Sequence, residues 1–174
     1  RFGPSLSVMV HHGPGRLAAD DFAKAAAACD VALTTYALLP RDEQTLGQVR
    51  WNAVVLDEAQ NIKNPEAKQS RSAHRLNAEF RVALTGTPVE NRLSELWSIM
   101  DFLNPGYLGS FTDFRQRYAI PIERYRDAKA SSRLRSLTRP FILRRVKTDP
   151  RIIQDLPEKQ EAKVYPSLTR EQVT

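Results

Sequence analysis

Two acids follow an apolar run in Ala53-Val54-Val55-Leu56-Asp57-Glu58-Ala59-Gln60. Four apolar residues are too few for a buried helix and read as a central parallel strand, whose carboxyl end is where such sheets carry their chemistry. An aspartate at that end can hold a magnesium ion that bridges the outer phosphates of a nucleotide. A glutamate beside it can orient or deprotonate the attacking water. Taken alone, the run is better read as two acids capping an ordinary turn. A second motif favours the chemistry. Twenty-eight positions after Asp57, Arg81-Val82-Ala83-Leu84 runs into Thr85-Gly86-Thr87-Pro88. Hydroxyls and a glycine at a strand exit supply short polar groups and a backbone free to approach phosphate closely.

These residues need a frame to hold them, and the pattern along the chain predicts one. Strands are expected at 6–11, 31–35, 52–57 and 80–85, with helices near 18–28, 41–48, 65–77 and 91–103. The alternation predicts an α/β fold with a parallel sheet flanked by helices on both faces. In the last helix Leu93, Leu96, Trp97, Met100 and Leu103 recur at helical spacing as a core stripe, and Asn104-Pro105-Gly106 stops it. Beyond that stop Phe111-Phe114-Tyr118 and then Arg124 to Leu137 keep a helical period, which predicts a helical protrusion over 106–140.

In this order the two motifs resemble the second and third motifs of superfamily-two helicases. The flanking residues are similar to the SWI/SNF-type branch, whose members are DNA-stimulated ATPases. They are Gln60-Asn61-Ile62-Lys63-Asn64, Leu84-Thr85-Gly86-Thr87-Pro88-Val89-Glu90-Asn91, and Leu96-Trp97-Ser98-Ile99-Met100-Asp101-Phe102-Leu103-Asn104-Pro105. Leu33-Thr34-Thr35-Tyr36 upstream matches too, as do Arg139-Pro140-Phe141-Ile142-Leu143-Arg144-Arg145-Val146-Lys147 and Leu156-Pro157-Glu158-Lys159 downstream.

The resemblance implies part of the first RecA-like lobe of a P-loop ATPase over 1–105, the protrusion over 106–140, a return to the lobe over 141–157, and a linker over 158–174 toward a second RecA-like lobe. It implies ATP and magnesium as cofactors and double-stranded DNA, held by its backbone phosphates, as partner. Asp57 would contact magnesium and Glu58 would polarise the lytic water. Gln60, Thr85, Gly86 and Thr87 would couple the nucleotide to the DNA side. Thr34 and Thr35 would meet DNA phosphates, or would serve hydrogen bonds within their own turn. Arg144, Arg145 and Lys147 would contact the DNA backbone or brace the two lobes. A strand-separating helicase of the same superfamily, or a DNA- or protein-binding truncation without catalysis, fits the same residues.

A phosphate loop ending in Gly-Lys-Ser/Thr is expected in such a lobe, and the sequence contains no Gly-Lys pair. The resemblance therefore implies that the chain opens after that loop, and that without it and the second lobe the 174 residues do not turn over ATP. The strand bearing the loop would lie beside 80–85, so that strand is expected to present an exposed edge, which either self-associates or is covered by a neighbouring segment.

The remaining composition sets bounds. At 174 residues and 41% hydrophobic content the chain can build one sizeable core. No apolar stretch approaches the twenty residues that cross a bilayer, so no membrane is expected, and the predicted location is the cytoplasm, at a bacterial nucleoid, or a nucleus. The lone Cys29 reads as a small buried hydrophobe, and His11, His12 and His74 lack the spacing of a zinc site. The net charge of +6 is uneven: residues 1–105 hold 11 Lys/Arg against 12 Asp/Glu, and residues 106–174 hold 15 against 8. A basic, aromatic-studded surface attracts a polyanion such as DNA, although its aromatics equally fit inward packing beneath a solvated face.

Overall fold

The computed structural model describes residues 3–17, 19–86 and 92–144. Residues 1–138 form one compact unit. A second begins at Arg139, and its described part is a short 3-10 turn, Arg139–Phe141, followed by exposed Ile142 to Arg144.

Within the first unit the order is β1 (Val8–Val10), α1 (Ala19–Ala27), β2 (Val31–Leu33), α2 (Glu43–Gly47), β3 (Trp51–Leu56), a 3-10 turn (Ala59–Ile62), α3 (Lys68–Arg75), β4 (Ala78–Ala83) and α4 (Leu93–Leu103). α5 (Phe111–Phe114), a wider π-type turn (Arg115–Ala119), α6 (Ile120–Tyr125) and α7 (Ala128–Thr138) follow. The fold is α/β, with parallel strands where alternation predicts them. α3 starts later than the pattern suggests. The Asn64 side chain accepts from the Glu66 amide at 3.0 Å, which makes Asn64-Pro65 a turn before the helix.

The sheet departs from expectation. Instead of one sheet there are two parallel pairs, β1 with β2 (Val8↔Val31, Val10↔Leu33) and β3 with β4 (Ala53↔Phe80, Val55↔Val82, Leu56↔Ala83). Nor are both faces covered. Val54, Leu56 and Ala83 point into a core with Phe22, Leu39, Leu46, Ile62, Ala73, Ile99 and Phe102, whereas Val55, Phe80 and Val82 on the other face are exposed, Phe80 at 68%. Val8, Val10 and Leu33 likewise leave one face of the first pair open. Parallel strands are ordinarily buried on both sides, so helices cover only half of what these strands present. No described strand pairs with the free edge of β4, so that edge is not covered by a neighbouring strand among the described residues.

α4 has no exposed residue because it serves two cores. Ile99 and Phe102 face the sheet side, while Leu96, Trp97 and Met100 pack with Leu108, Phe114, Tyr118, Ala119 and Leu134 of the helical segment. The π-type turn in that segment has a local cause. Pro121 follows it within a continuous helical run, and proline lacks the amide and the clearance that a regular turn needs. Cys29 is half-buried rather than buried, its thiol 3.5 Å from the Ala26 carbonyl at the end of α1. No helix among the described residues is long and apolar enough to cross a membrane.

The bare β3–β4 face and edge predict that the isolated chain self-associates. Sedimentation velocity should show mass rising with concentration, and Phe80→Lys should lower it. A wild-type monomer at all concentrations would reject the expectation.

Candidate functional site

The site is built where β3 and β4 end side by side. Their ladder continues past both strands: the Leu84 amide donates to the Leu56 carbonyl and the Ala59 amide to the Leu84 carbonyl, each at 2.8 Å. Asp57 and Glu58 are thereby set against the residues leading into Thr85. Both acids are exposed.

Glu58 has a left-handed backbone, φ 51° and ψ 53°, which costs a residue other than glycine about 1–3 kcal/mol and persists only where the surroundings fix it. Here both flanking peptides are held. The Asp57 carbonyl accepts the Tyr36 hydroxyl at 2.7 Å, and the Glu58 amide donates to Asp57 Oδ1 at 3.0 Å. The Glu58 carbonyl accepts from the Asn61 side chain at 2.9 Å and the Asn61 amide at 3.0 Å. The Ala59 amide is taken by Leu84, as above.

From the carboxylate a second chain of bonds runs to β4. Gln60 Nε2 donates to Glu58 Oε2 at 2.5 Å, and Thr85 Oγ1 donates to Gln60 Oε1 at 3.0 Å. Gln60 sits on a 3-10 turn pinned from beneath: buried Ser70 of α3 and Ser98 of α4 both donate to the Ile62 carbonyl, at 3.1 and 2.5 Å. The turn is held by polar bonds within an apolar core, where an unmet carbonyl would cost about 1–3 kcal/mol.

Of the residues singled out by sequence, Asp57, Glu58, Gln60 and Thr85 therefore come together. Gly86 follows directly, and a Cβ there would meet nothing within 4 Å. Thr87 lies outside the described residues, as do Arg145 and Lys147. Thr34 and Thr35 are exposed beyond β2, with Thr34 Oγ1 donating to the His11 carbonyl at 3.2 Å, so one hydroxyl already serves the fold. Arg144 is exposed and belongs to the second unit. Sequence reasoning missed Tyr36 as a site residue. Its position two residues beyond a strand-exit threonine, in a matched block, was the available signal.

His11 and His74 are held by bonds within the fold, His74 Nδ1 lying 2.7 Å from the Ser70 carbonyl, and His12 is exposed. His11, 3% exposed, places Nε2 2.9 Å from Asp42 Oδ2, and Arg16 Nε donates to the same oxygen at 2.6 Å. Arg16, with burial opposing and His11 assisting, holds the Asp42 carboxyl below the usual carboxylate range. This clasp ties the loop after β1 to the start of α2. Among the described residues no three His, Cys, Asp or Glu side chains form a metal-holding group. The donors at the site nonetheless fit magnesium, which binds through one or two hard carboxylate oxygens together with nucleotide phosphates and water.

A family model, the SNF2-related domain, matches residues 1–174. The chain belongs to the SNF2-related family. YwqA of Bacillus subtilis, named for an inferred ATP-dependent helicase or translocase activity, is 51% identical over 99% of this chain. The Saccharomyces cerevisiae DNA repair and recombination protein RAD26 is 39% identical over 82% of it. The match spans only 19% of YwqA and 14% of RAD26. Among solved structures, the Sulfolobus solfataricus SWI2/SNF2 ATPase core in complex with double-stranded DNA superposes with a TM-score of 0.76 at 46% identity. It covers 97% of this chain and 34% of that one. The RecA-like α/β architecture follows from that likeness.

Burial, and then the charges of Asp57 and Glu58, push the Tyr36 phenol up from 10.0 to about 12. A folded value above the unfolded one means that this group's contribution to stability is complete below about pH 10 and is lost as pH rises through about 12. Tyrosinate absorbance during alkaline titration should show a late phase near pH 12 that Tyr36→Phe removes. Its persistence in the variant would reject the assignment.

Proposed function

We propose that this chain is part of the first RecA-like lobe of an ATP-dependent motor that translocates on double-stranded DNA and remodels what is bound to it. The observation that carries the reading is the hydrogen-bonded line Thr85–Gln60–Glu58, which joins a hydroxyl at one strand exit to the acid at the next. Such a line suits a site in which the state of a terminal phosphate is passed along the protein.

When bound, ATP and its magnesium ion supply a phosphoryl group whose charge is already partly neutralised. Asp57 holds the ion through its exposed carboxylate. Glu58 aligns the attacking water and accepts its proton, and its left-handed backbone aims the side chain out of the strand exit. Gln60 and Thr85 position Glu58 and, with Gly86 and Thr87, relay phosphate state toward the DNA side. Alignment is most of what this reaction asks of a protein.

DNA is held by its backbone in this reading. Charge supports it. The three acids of residues 106–138 are engaged: Asp113 accepts from Ser110 Oγ at 2.7 Å, Glu123 from the Leu93 amide at 2.7 Å, and Asp127 from the Lys129 and Ala130 amides at 2.8 and 3.0 Å. Arg115, Arg117, Arg124, Arg126, Lys129, Arg133 and Arg135 are exposed, and none pairs with a carboxylate among the described residues. Phe114 and Tyr118 are buried beneath them, while Tyr125 is exposed among the cations. Thr34 and Thr35 supply further phosphate contacts that read no sequence.

In the complete protein Glu58→Gln should lower duplex-stimulated ATP turnover by about 10²-fold or more while leaving ATP affinity within about twofold. The isolated 174 residues should show no stimulated turnover. Unchanged turnover in the variant would overturn the role of Glu58. Alanine at Arg144, Arg145 and Lys147 together should weaken binding equally on unrelated duplexes. It should also flatten the slope of log K against log salt by about 0.9 for each phosphate that is no longer neutralised. An unaltered slope would leave these cations as braces between lobes.

A further inference from the structure

We propose that Tyr36 is a positioning residue that couples the DNA-facing exit of β2 to the nucleotide site, its hydroxyl holding the peptide between Asp57 and Glu58. The inference rests on the proposed roles of Thr34 and Thr35 toward DNA and of Asp57 and Glu58 toward ATP.

β2 and β3 share no ladder, since the strands form two separate pairs. A shift at the strand-exit threonines therefore has no sheet hydrogen bonds through which to reach the acids. Tyr36 supplies a direct one, 2.7 Å long, from the residue next to Thr35 to the Asp57 carbonyl. Both ends are stiff. On one side the Leu38 amide donates to the Thr35 carbonyl at 3.0 Å and the Leu39 amide to the Tyr36 carbonyl at 3.3 Å, with Leu38 and Leu39 buried. On the other, Glu58 is locked by Asp57, Asn61 and Gln60, and the Ala59 amide that follows it by Leu84.

Among these holds on the Asp57–Glu58 peptide, the Tyr36 bond alone comes from the segment expected at the DNA. The others arise within residues 57–61 or from Leu84, just past β4. Moving Tyr36 turns the peptide plane, and with it the direction of a Glu58 side chain held in an uncommon backbone well. The phenol suits this task because a tyrosine hydroxyl is protonated, and so a donor, at any physiological pH. Phenylalanine retains the ring that packs on the core and loses only the donor.

The test uses Tyr36→Phe in the complete protein, with Glu58→Gln alongside. Three quantities are read: duplex-stimulated kcat, KM for ATP, and the ratio of duplex affinities with and without a non-hydrolysable ATP analogue and magnesium. A coupling between sites is reciprocal, so that ratio measures it directly. The expected result is a kcat about five- to tenfold lower, as loss of one hydrogen bond allows, with KM within about twofold. The affinity ratio should collapse toward one while duplex affinity without nucleotide stays unchanged. A wild-type ratio and kcat in Tyr36→Phe would overturn the proposal, as would loss of nucleotide-free duplex affinity, which would make Tyr36 a DNA contact. Glu58→Gln separates the two readings. If it abolishes turnover while Tyr36→Phe behaves as wild type, only the coupling role fails; if it leaves turnover intact, the assignment of the acids fails first.

Discussion

The site depends on two hydrogen bonds that extend the β3–β4 ladder beyond its strands, Leu84 to Leu56 and Ala59 to Leu84. In a parallel pair both carboxyl ends lie on one side, so this extension forces the acidic segment and the hydroxyl segment to leave the sheet as neighbours. Everything else at the site follows from that adjacency. Gln60 can bridge Glu58 and Thr85 only because the two exits are in register. The buried serines then fix Gln60 by holding the turn on which it stands. A slip of one residue in the register would point Leu56 away from the core and move Asp57 off the strand exit, so core packing and chemistry are secured by the same pairing.

Much of this could be read from residue types, because short apolar runs ending in polar residues mark parallel strands and their exits. Asp57, Glu58 and Thr85 were singled out that way, and Gln60 by the family resemblance of its motif. What could not be read falls into two kinds. Backbone conformation at Glu58 carries no compositional signal, since a glutamate is an unfavourable choice for a left-handed position and only four converging partners make it tenable. Long-range single bonds, such as Tyr36 to Asp57 and His11 to Asp42, leave no periodic trace either. The expected covering of the sheet failed for another reason. Alternation says which residues alternate, but a parallel strand buried on both faces and one buried on a single face read alike when both faces are apolar. Val55, Phe80 and Val82 have the composition of a covered face and the exposure of an open one.

Charge on the helical segment was legible as a sum but not in its arrangement. A run of cations with a few acids could have been neutralised by local ion pairs, yet each acid is engaged by a helix-start amide or a neighbouring hydroxyl. Ser110 and Asp113 form a reciprocal cap on α5, the Asp113 amide returning to Ser110 Oγ at 3.1 Å, and Asp127 does the same service for α7. Carboxylates placed there stabilise helix starts and leave the basic side chains unopposed. The arrangement meets two demands at once: short helices interrupted by Pro121 need strong caps, and the polyanion-facing surface proposed above needs cations without internal partners.

Val55, Phe80 and Val82 leave one apolar face of β3 and β4 open among the described residues. The chain spans 19% of YwqA and 34% of the Sulfolobus core chain. A lobe whose strands present apolar side chains on both sides gains about 25 cal/mol for each Å² of that surface when another element covers it. In the proposed reading the same two strands carry that open face and the exits at Asp57 and Thr85, so whatever covers the face also bears on the position of the acids.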